Sequence, residues 1–282
     1  MKVVAKAAAL REHLAEWRHS GEHIGLVATM GNLHDGHLGL VELARQHAER
    51  VVVSIFINPT QFEPGADFAE YPRTLQMDQR RLKLADADLL FVPEVDTMYP
   101  FGTEEATLVS VPALTRDLCG TFRPGHFDGV TSVVARLFCL VLPDVAVFGQ
   151  KDFQQQLVIR RMTADLNMPI QIISAPTLRA EDGLALSSRN QYLTDDERRI
   201  APLLYGTLQK IVRDLQAGKR NFAELESHAV LTLNDAGFVP EYVSIRRAEN
   251  LRLPDRDTDE LVVLAAARLG KARLIDNILA EI

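Results

Sequence analysis

Cysteine is scarce in this chain. There are two, Cys119 and Cys139, and they lack the CxxC spacing of a zinc or redox site. Cys139 lies in an apolar helical run and is expected in the core. So little cysteine suits a reducing cytoplasm. No apolar run approaches the ~20 residues of a membrane span. The opening stretch MKVVAKAAALREHLAEW carries Arg11, Glu12 and Glu16 where a signal peptide needs an apolar core, so it reads as an amphipathic helix. Charge of one sign is not in great excess. The net charge is −7 with both signs interspersed, which disfavours a general nucleic-acid surface and makes any positive site local.

What is present is a globular composition, with 47% apolar and 24% charged residues in 282, enough for one large or two modest domains. Helix-like and strand-like segments alternate, which argues an α/β fold. The chain is expected to divide into residues 1–175, a Rossmann-like doubly wound parallel sheet, and residues 176–282, a smaller α+β domain folding over the first.

The organising stretch is 27–38, VATMGNLHDGHL. The apolar run 24–29 is long enough for one buried strand, and an amphipathic run begins at Leu38. The strand, the Gly-containing turn and the helix start predict a site with free backbone N–H groups at a positive dipole end, suited to anions. His34 and His37 flank the helix entry and add donors that titrate near pH 7. A pair of surface histidines or a metal pair remains open on these residues alone. A metal pair wants a third ligand, and Asp35 points elsewhere at helical spacing.

Further along, 51–57 is apolar and β-branched, as in a strand covered on both faces. Ligands of open parallel sheets bind beyond the carboxyl ends of strands, which places Asn58 and Gln61 on the functional rim; Pro59 is a turn signal. Strands are also expected at 88–92, 107–111, 144–148 and 170–173, with helices at 5–19, 74–85, 130–141 and 153–166. The segments 95–100 and 119–130 read as loops, the second Gly/Pro-rich like a mobile lid. Arg73, Arg80, Arg81 and Lys83 read as a solvated face. After the strand at 144–148, Gly149, Gln150, Lys151 and Asp152 form a second strand–Gly–helix junction. A lysine there offers a point charge to phosphate, and an aspartate accepts from ribose hydroxyls or caps the helix. Ser187, Ser188 and Arg189 supply hydroxyls and a guanidinium fork for phosphate oxygens. Beyond 194, Thr194 and Glu197 form a capping box for a helix through 215, a helix follows at 221–236, and three strands are expected at 242–246, 261–267 and 273–278.

HxGH after a first strand is the phosphate-handling signature of the nucleotidyltransferase and class I aminoacyl-tRNA synthetase superfamily. TMGxLHxGH at 29–37 resembles the first motif of the pantoate–beta-alanine ligase family. INPTQF, YPR, VxxMYP, RPGHFxGV, GxKDxQQ and DGLAxSSRN follow in order, so the resemblance covers nearly the whole chain. The last string is the counterpart of the synthetases' KMSKS loop.

The resemblance implies an ATP-dependent condensation of pantoate with beta-alanine through a pantoyl adenylate, releasing AMP and pyrophosphate. It implies ATP contacts at Met30, Gly31, His34, Gly36, His37, Gly149, Gln150, Lys151, Asp152, Leu178, Leu186, Ser187, Ser188 and Arg189. His37, His34, Lys151 and Arg189 are the implied catalytic groups. Gln61 and Gln155 are implied for pantoate, with Asn58, Arg123 and His126 around the pantoate and beta-alanine sites; without the match of RPGHFxGV, Arg123 and His126 read as ordinary loop residues. Mg²⁺ is implied on the ATP phosphates with no dedicated protein ligands, as is a cytoplasmic homodimer without nucleic-acid or membrane partners. Three positions depart from the pattern: Gln156 and Leu186, where an apolar residue and Met are usual, and Ala28, often Pro. Two alternatives stand beside this reading: another HxGH nucleotidyltransferase, leaving a nucleotide on its product, and a nucleotide-binding regulator without turnover.

Overall fold

The computed structural model describes residues 1–62, 68 and 71–282. The string at 68–73 falls partly on residues 69 and 70, outside the described residues. The chain divides into two compact units, the first of residues 1–149 and 158–175, the second of 150–157 and 176–282.

The first unit runs β1 (Lys2–Val4), α1 (Ala7–His19), β2 (Ile24–Thr29), α2 (Asp35–Arg45), β3 (Arg50–Ile55), α3 (Leu75–Leu84), β4 (Leu89–Phe91), α4 (Val95–Met98), α5 (Pro112–Thr115), α6 (Cys119–Phe122), α7 (His126–Val141) and β5 (Val145–Gly149). Helix α8 (Phe153–Asp165) begins in second-unit residues and leads to β6 (Gln171–Ala175). Among the described residues six strands pair in parallel, in the order β1-β4-β3-β2-β5-β6. Alternate residues of each central strand enter different cores. Leu26 and Val52 pack with Leu10 and Leu14 of α1 and Val134 and Phe138 of α7. Val27, Val51 and Val53 pack with Val41 and Ala44 of α2 and Leu82 of α3. Cover on both faces is why these strands read as unbroken apolar runs. From β2 the chain moves outward to β3 and β4, whereas β5 and β6 lie on the other side of β2. The strand order therefore reverses between β2 and β5, the switch point at which such sheets bind ligands.

In the second unit α9 (Asp195–Ile200), α10 (Leu203–Gln216) and α11 (Phe222–Asp235) precede an antiparallel sheet of β7 (Val239–Arg247), β8 (Glu260–Leu269) and β9 (Ala272–Glu281). Leu204, Leu208, Ile211 and Leu215 of α10 and Leu225, Ala229 and Leu233 of α11 repeat at helical spacing and share one core with alternate residues of β8.

Several sequence expectations are corrected. The N-terminus opens with β1, paired in parallel with β4, before α1 starts at Ala7. Residues 107–111 form no strand. Side chains of α7 take the place of a ladder partner: Ser132 Oγ accepts from Val109 N at 2.9 Å, Thr131 Oγ1 donates to Val109 O, and Arg136 donates to Thr107 O at 2.8 Å. Residues 95–98 are a helical turn, and the expected 119–130 loop is α6 plus the first turn of α7. Cys139 is exposed, because the buried positions 130, 133, 134, 137, 138 and 141 define the opposite face of α7. The helix expected from 194 to 215 is broken into α9 and α10 at Pro202, which lacks an N–H and crowds the carbonyl four residues back. The Thr194–Glu197 capping box is present. Among the described residues no helix is long and apolar enough to cross a membrane.

Candidate active site

The β2–α2 turn is held from within. Thr29 Oγ1 donates to Ser54 O at 2.9 Å and accepts from Gly31 N at 3.2 Å. Gly31 and Asn32 both have positive φ, +82° and +51°. A Cβ at Gly31 would lie 3.1 Å from Ile55 Cγ2 and 3.2 Å from Asp78 Oδ2, so only glycine suits this position. Asp78, buried in α3, accepts from Asn32 N at 3.0 Å, from Leu33 N at 2.9 Å and from Thr74 Oγ1 at 3.1 Å. His34 then caps α2: its Nδ1 accepts from Gly36 N at 3.1 Å, and His37 Nδ1 accepts from His34 N at 3.2 Å. The two rings stand 4.1 Å apart, tilted by 40°.

This corrects the expectation of free turn amides. The N–H groups of Gly31, Asn32, Leu33, His34 and Gly36 are all given to acceptors in the protein. Because both Nδ1 atoms accept, the proton of each neutral imidazole sits on Nε2. The amides of this turn are thus taken within the protein, and the N–H of each neutral ring is at Nε2. Asp35 is mostly exposed and meets Arg81 at 3.4 Å.

After β3, Asn58 is buried and its carboxamide is fully engaged. It donates to Gln61 Oε1 at 3.3 Å and Gly129 O at 3.1 Å, and accepts from Tyr99 OH at 2.8 Å and Thr60 Oγ1 at 3.1 Å. Gln61 Nε2 contacts Met30 Sδ, joining this rim to the histidine turn. His126 contacts Gln61 O through Nδ1 and Arg123 Nη1 through Nε2, both at 2.9 Å. Since arginine can only donate, His126 Nδ1 carries the proton given to Gln61 O. Asn58, His126 and Arg123 are therefore built around Gln61. Gly129 allows this closeness: a Cβ there would lie 2.5 Å from Thr60 O and 2.8 Å from Gln61 Cα.

The second unit holds the other candidate residues. Lys151 Nζ donates to Leu186 O at 3.0 Å. Burial pushes its ammonium down to about 8; Asp152 opposes this, and Arg189 adds to it. Leu178 and Leu186 face each other across a small hairpin, where Leu186 N donates to Leu178 O at 2.9 Å and Arg179 bridges Ala185. Ser187 Oγ caps the short 3₁₀ turn Ser188–Tyr192 by accepting from Arg189 N at 3.2 Å. Gln150 to Asp152 form another 3₁₀ turn leading into α8 and Gln155. Gln156 is buried, and among the described residues its Nε2 has no partner.

Met30, Gly31, His34, Gly36, His37, Asn58, Gln61, Arg123, His126 and Gly149 thus belong to the first unit. Gln150, Lys151, Asp152, Gln155, Leu178, Leu186, Ser187, Ser188 and Arg189 belong to the second. Sequence reasoning missed Asp78 and Tyr99. Asp78 sits among the charges of a surface-like helix, and Tyr99 was visible only within the string VxxMYP.

A parallel sheet with an imidazole-capped helix at its switch point defines an α/β protein with its candidate site at that crossing. The comparisons narrow this. Residues 2–279 match the family model for pantoate-beta-alanine ligase. The pantothenate synthetase of Stutzerimonas stutzeri (strain A1501) is 54% identical over 282 residues, covering 100% of this chain and 99% of that one. The enzyme of the same name from Methylococcus capsulatus is 50% identical, with 100% and 99% covered. The crystal structure of pantothenate synthetase from Thermus thermophilus superposes with a TM-score of 0.92 at 45% identity, covering 99% of each chain. Pantoate-beta-alanine ligase from Francisella tularensis, solved with beta-gamma ATP and beta-alanine, gives a TM-score of 0.80 at 33% identity, with 99% of this chain and 97% of that one covered. The chain belongs to the pantoate–beta-alanine ligase family and is an enzyme of the ligase class.

Proposed function

We propose that this ligase forms pantothenate from pantoate and beta-alanine, using ATP to make a pantoyl adenylate. A carboxylate is a poor acyl donor because oxide is a poor leaving group. Pantoate's carboxylate oxygen attacks the α-phosphorus of ATP, the bond from that phosphorus to the α–β bridging oxygen breaks, and pyrophosphate leaves. The amine of beta-alanine then attacks the acyl carbon, AMP leaves, and the new amide loses a proton. No covalent enzyme intermediate is needed, so catalysis is positioning and charge stabilisation.

The observation that carries this reading is the histidine pair, whose Nδ1 atoms accept backbone N–H groups, so that both neutral rings carry their protons as Nε2–H groups. We assign them to the phosphate charge that grows as pyrophosphate departs, with His37 nearest the α–β bridge. Lys151, Ser187, Ser188 and Arg189 take the phosphate oxygens, and Gly149 and Asp152 the ribose. Gln61 and Gln155 hold pantoate, while Asn58, Arg123 and His126 act by fixing Gln61. The Francisella tularensis enzyme, complexed with beta-gamma ATP and beta-alanine, supports ATP and beta-alanine as substrates here. Among the described residues no group of three His, Cys, Asp or Glu could hold a metal ion. Imidazole, ammonium, hydroxyl and guanidinium groups suit phosphate oxygens, and Mg²⁺ is assigned to those oxygens, where it supplies charge neutralisation. The family resemblance supports a cytoplasmic homodimer, checked by fractionation and sedimentation equilibrium.

The test uses pantoate labelled with ¹⁸O in its carboxyl group, with omission of beta-alanine as a control. Label in AMP is expected. Label in inorganic phosphate, with ADP as co-product, overturns the adenylate route.

A further inference from the structure

Asn277 of β9 is buried, and its Nδ2 donates to two successive carbonyls, Gln150 O and Lys151 O, at 2.9 Å each. Asp276, also buried, holds Arg179 in a two-pronged ion pair at 2.6 and 2.8 Å and accepts from Asn277 N at 2.8 Å. Arg179 belongs to the hairpin that leads into Ser187. It donates to Gly183 O at 3.1 Å, and its guanidinium lies 3.6 Å from the centre of the Tyr205 ring. Lys151 Nζ reaches Leu186 O at the other end of that hairpin. The contacts close a ring: β9 to the Lys151 backbone, the Lys151 side chain to the hairpin, and the hairpin back to β9 through Arg179.

We infer that Asp276 and Asn277 are positioning residues for adenylation, fixing the Lys151 backbone and the loop ahead of Ser187 from adjacent positions of one strand. The inference rests on the adenylating role proposed above. The chemistry of Asn277 suits the task. Two neighbouring carbonyl oxygens repel each other, and a carboxamide supplies two N–H donors from one nitrogen to draw them together. An aspartate of the same shape would be acceptor-only and would push both away. Asp276 performs the matching task on the other strand of the ring, because a bidentate carboxylate fixes the plane of a guanidinium as well as its distance. Neither residue is assigned a contact with substrate; they act through Lys151 and the hairpin. A misplacement of about 1 Å in such a group is enough to slow chemistry on the order of 10²-fold.

The test is single-turnover pyrophosphate release from saturating ATP and pantoate, with ATP KM and a melting curve for each variant. Asn277→Ala and Asn277→Asp should each release pyrophosphate about 10–100-fold more slowly, with ATP KM changed much less. In a Lys151→Ala background, Asn277→Ala should cost less than about twofold more, because its effect passes through Lys151. Arg273→Gln, on the same strand as Asn277, breaks an ion pair with Glu241 of β7 and should lower the melting temperature while keeping the rate. Unchanged release by folded Asn277 variants, or the same loss with and without Lys151, overturns the inference. A wild-type chain that releases no pyrophosphate in response to pantoate instead overturns the proposed function.

Discussion

In the first unit a buried carboxylate, Asp78, accepts from the backbone N–H groups of Asn32 and Leu33; in the second a buried carboxamide, Asn277, donates to the backbone carbonyls of Gln150 and Lys151. Both clamps hold backbone beside side chains assigned to phosphate, and their chemistry is opposite. Asp78 takes up two amides that would otherwise offer an anion nest. Asn277 takes up two carbonyl oxygens whose partial negative charge lies beside a lysine assigned to phosphate. Each clamp matches the sign of the backbone groups that the turn leaves over, and each leaves the chemistry to side chains.

The largest effect is expected at His37, which accepts from His34 N and is assigned the donor role at the phosphates. His37→Asn keeps an acceptor for His34 N while removing the Nε2 donor. Charge on the α–β bridge exists mainly in the transition state, so adenylation should fall about 10²–10³-fold, the scale of one preorganised donor. Its stability should drop by no more than about 1 kcal/mol, since a cap is retained. A variant that melts early but adenylates at the full rate would reduce His37 to a capping residue.

Asp78→Asn tests the first clamp itself. The shape survives, but an NH₂ group must now face one of the donors that a carboxylate accepted. The stranded donor should cost about 1–3 kcal/mol, and displacement of the histidines should slow pyrophosphate release about 10–100-fold. Pantoate KM should move little. A normal rate in a stably folded variant would break the parallel with Asn277.

Gly129→Ala addresses the neighbouring rim. The added Cβ meets backbone atoms of Thr60 and Gln61, which cannot rotate away as a side chain could. Overpacking of about 1–3 kcal/mol should appear as a rise of about tenfold in pantoate KM, with ATP KM unchanged. A rise confined to ATP KM would instead detach Gln61 from pantoate.

The second unit carries the clearest pH signature. Burial holds Lys151 at about 8 against an ordinary 10.5, so its charged form is disfavoured in the folded chain. Between these values the unfolded chain binds more protons, and stability should rise with pH across that window. Polyphosphate favours the charged form and raises the value again. Binding ATP near pH 8 should therefore take up about half a proton, measured by calorimetry in buffers of different ionisation enthalpy. Lys151→Met should abolish the uptake. Proton release on binding would contradict contact between this ammonium and phosphate.

The first unit's central strands and helix entries were legible because cover on both faces and amphipathic spacing write themselves into local sequence. The histidine pair was legible as a motif, but its orientation was not: that the turn amides are taken depends on Asp78, more than forty positions along the chain. Asn277 lies still further from Lys151, at a separation of 126 residues. Residues 107–111 alternate like a strand, yet the partners they meet are side chains of α7, which no period of two can announce. Local pattern reported elements and motifs; the clamps come from distant contacts.

The smallest effect is expected at Gln156, where the second unit has a buried amide and no clamp. Its side chain is 4% exposed, and among the described residues Nε2 meets no acceptor. A buried donor left this way costs about 1–3 kcal/mol, more than an apolar side chain of similar volume would. Gln156→Met, unbranched and close in size, should raise the melting temperature by about 2–6 °C without altering pyrophosphate release. The adjacent Gln155→Ala should do the reverse, weakening pantoate binding by about 1 kcal/mol and leaving ATP affinity nearly intact. If Gln156→Met melts lower, the carbonyl end of Gln156 makes a bond worth more than its stranded nitrogen. If it binds pantoate poorly, the two neighbouring glutamines share a task that is assigned here to Gln155 alone.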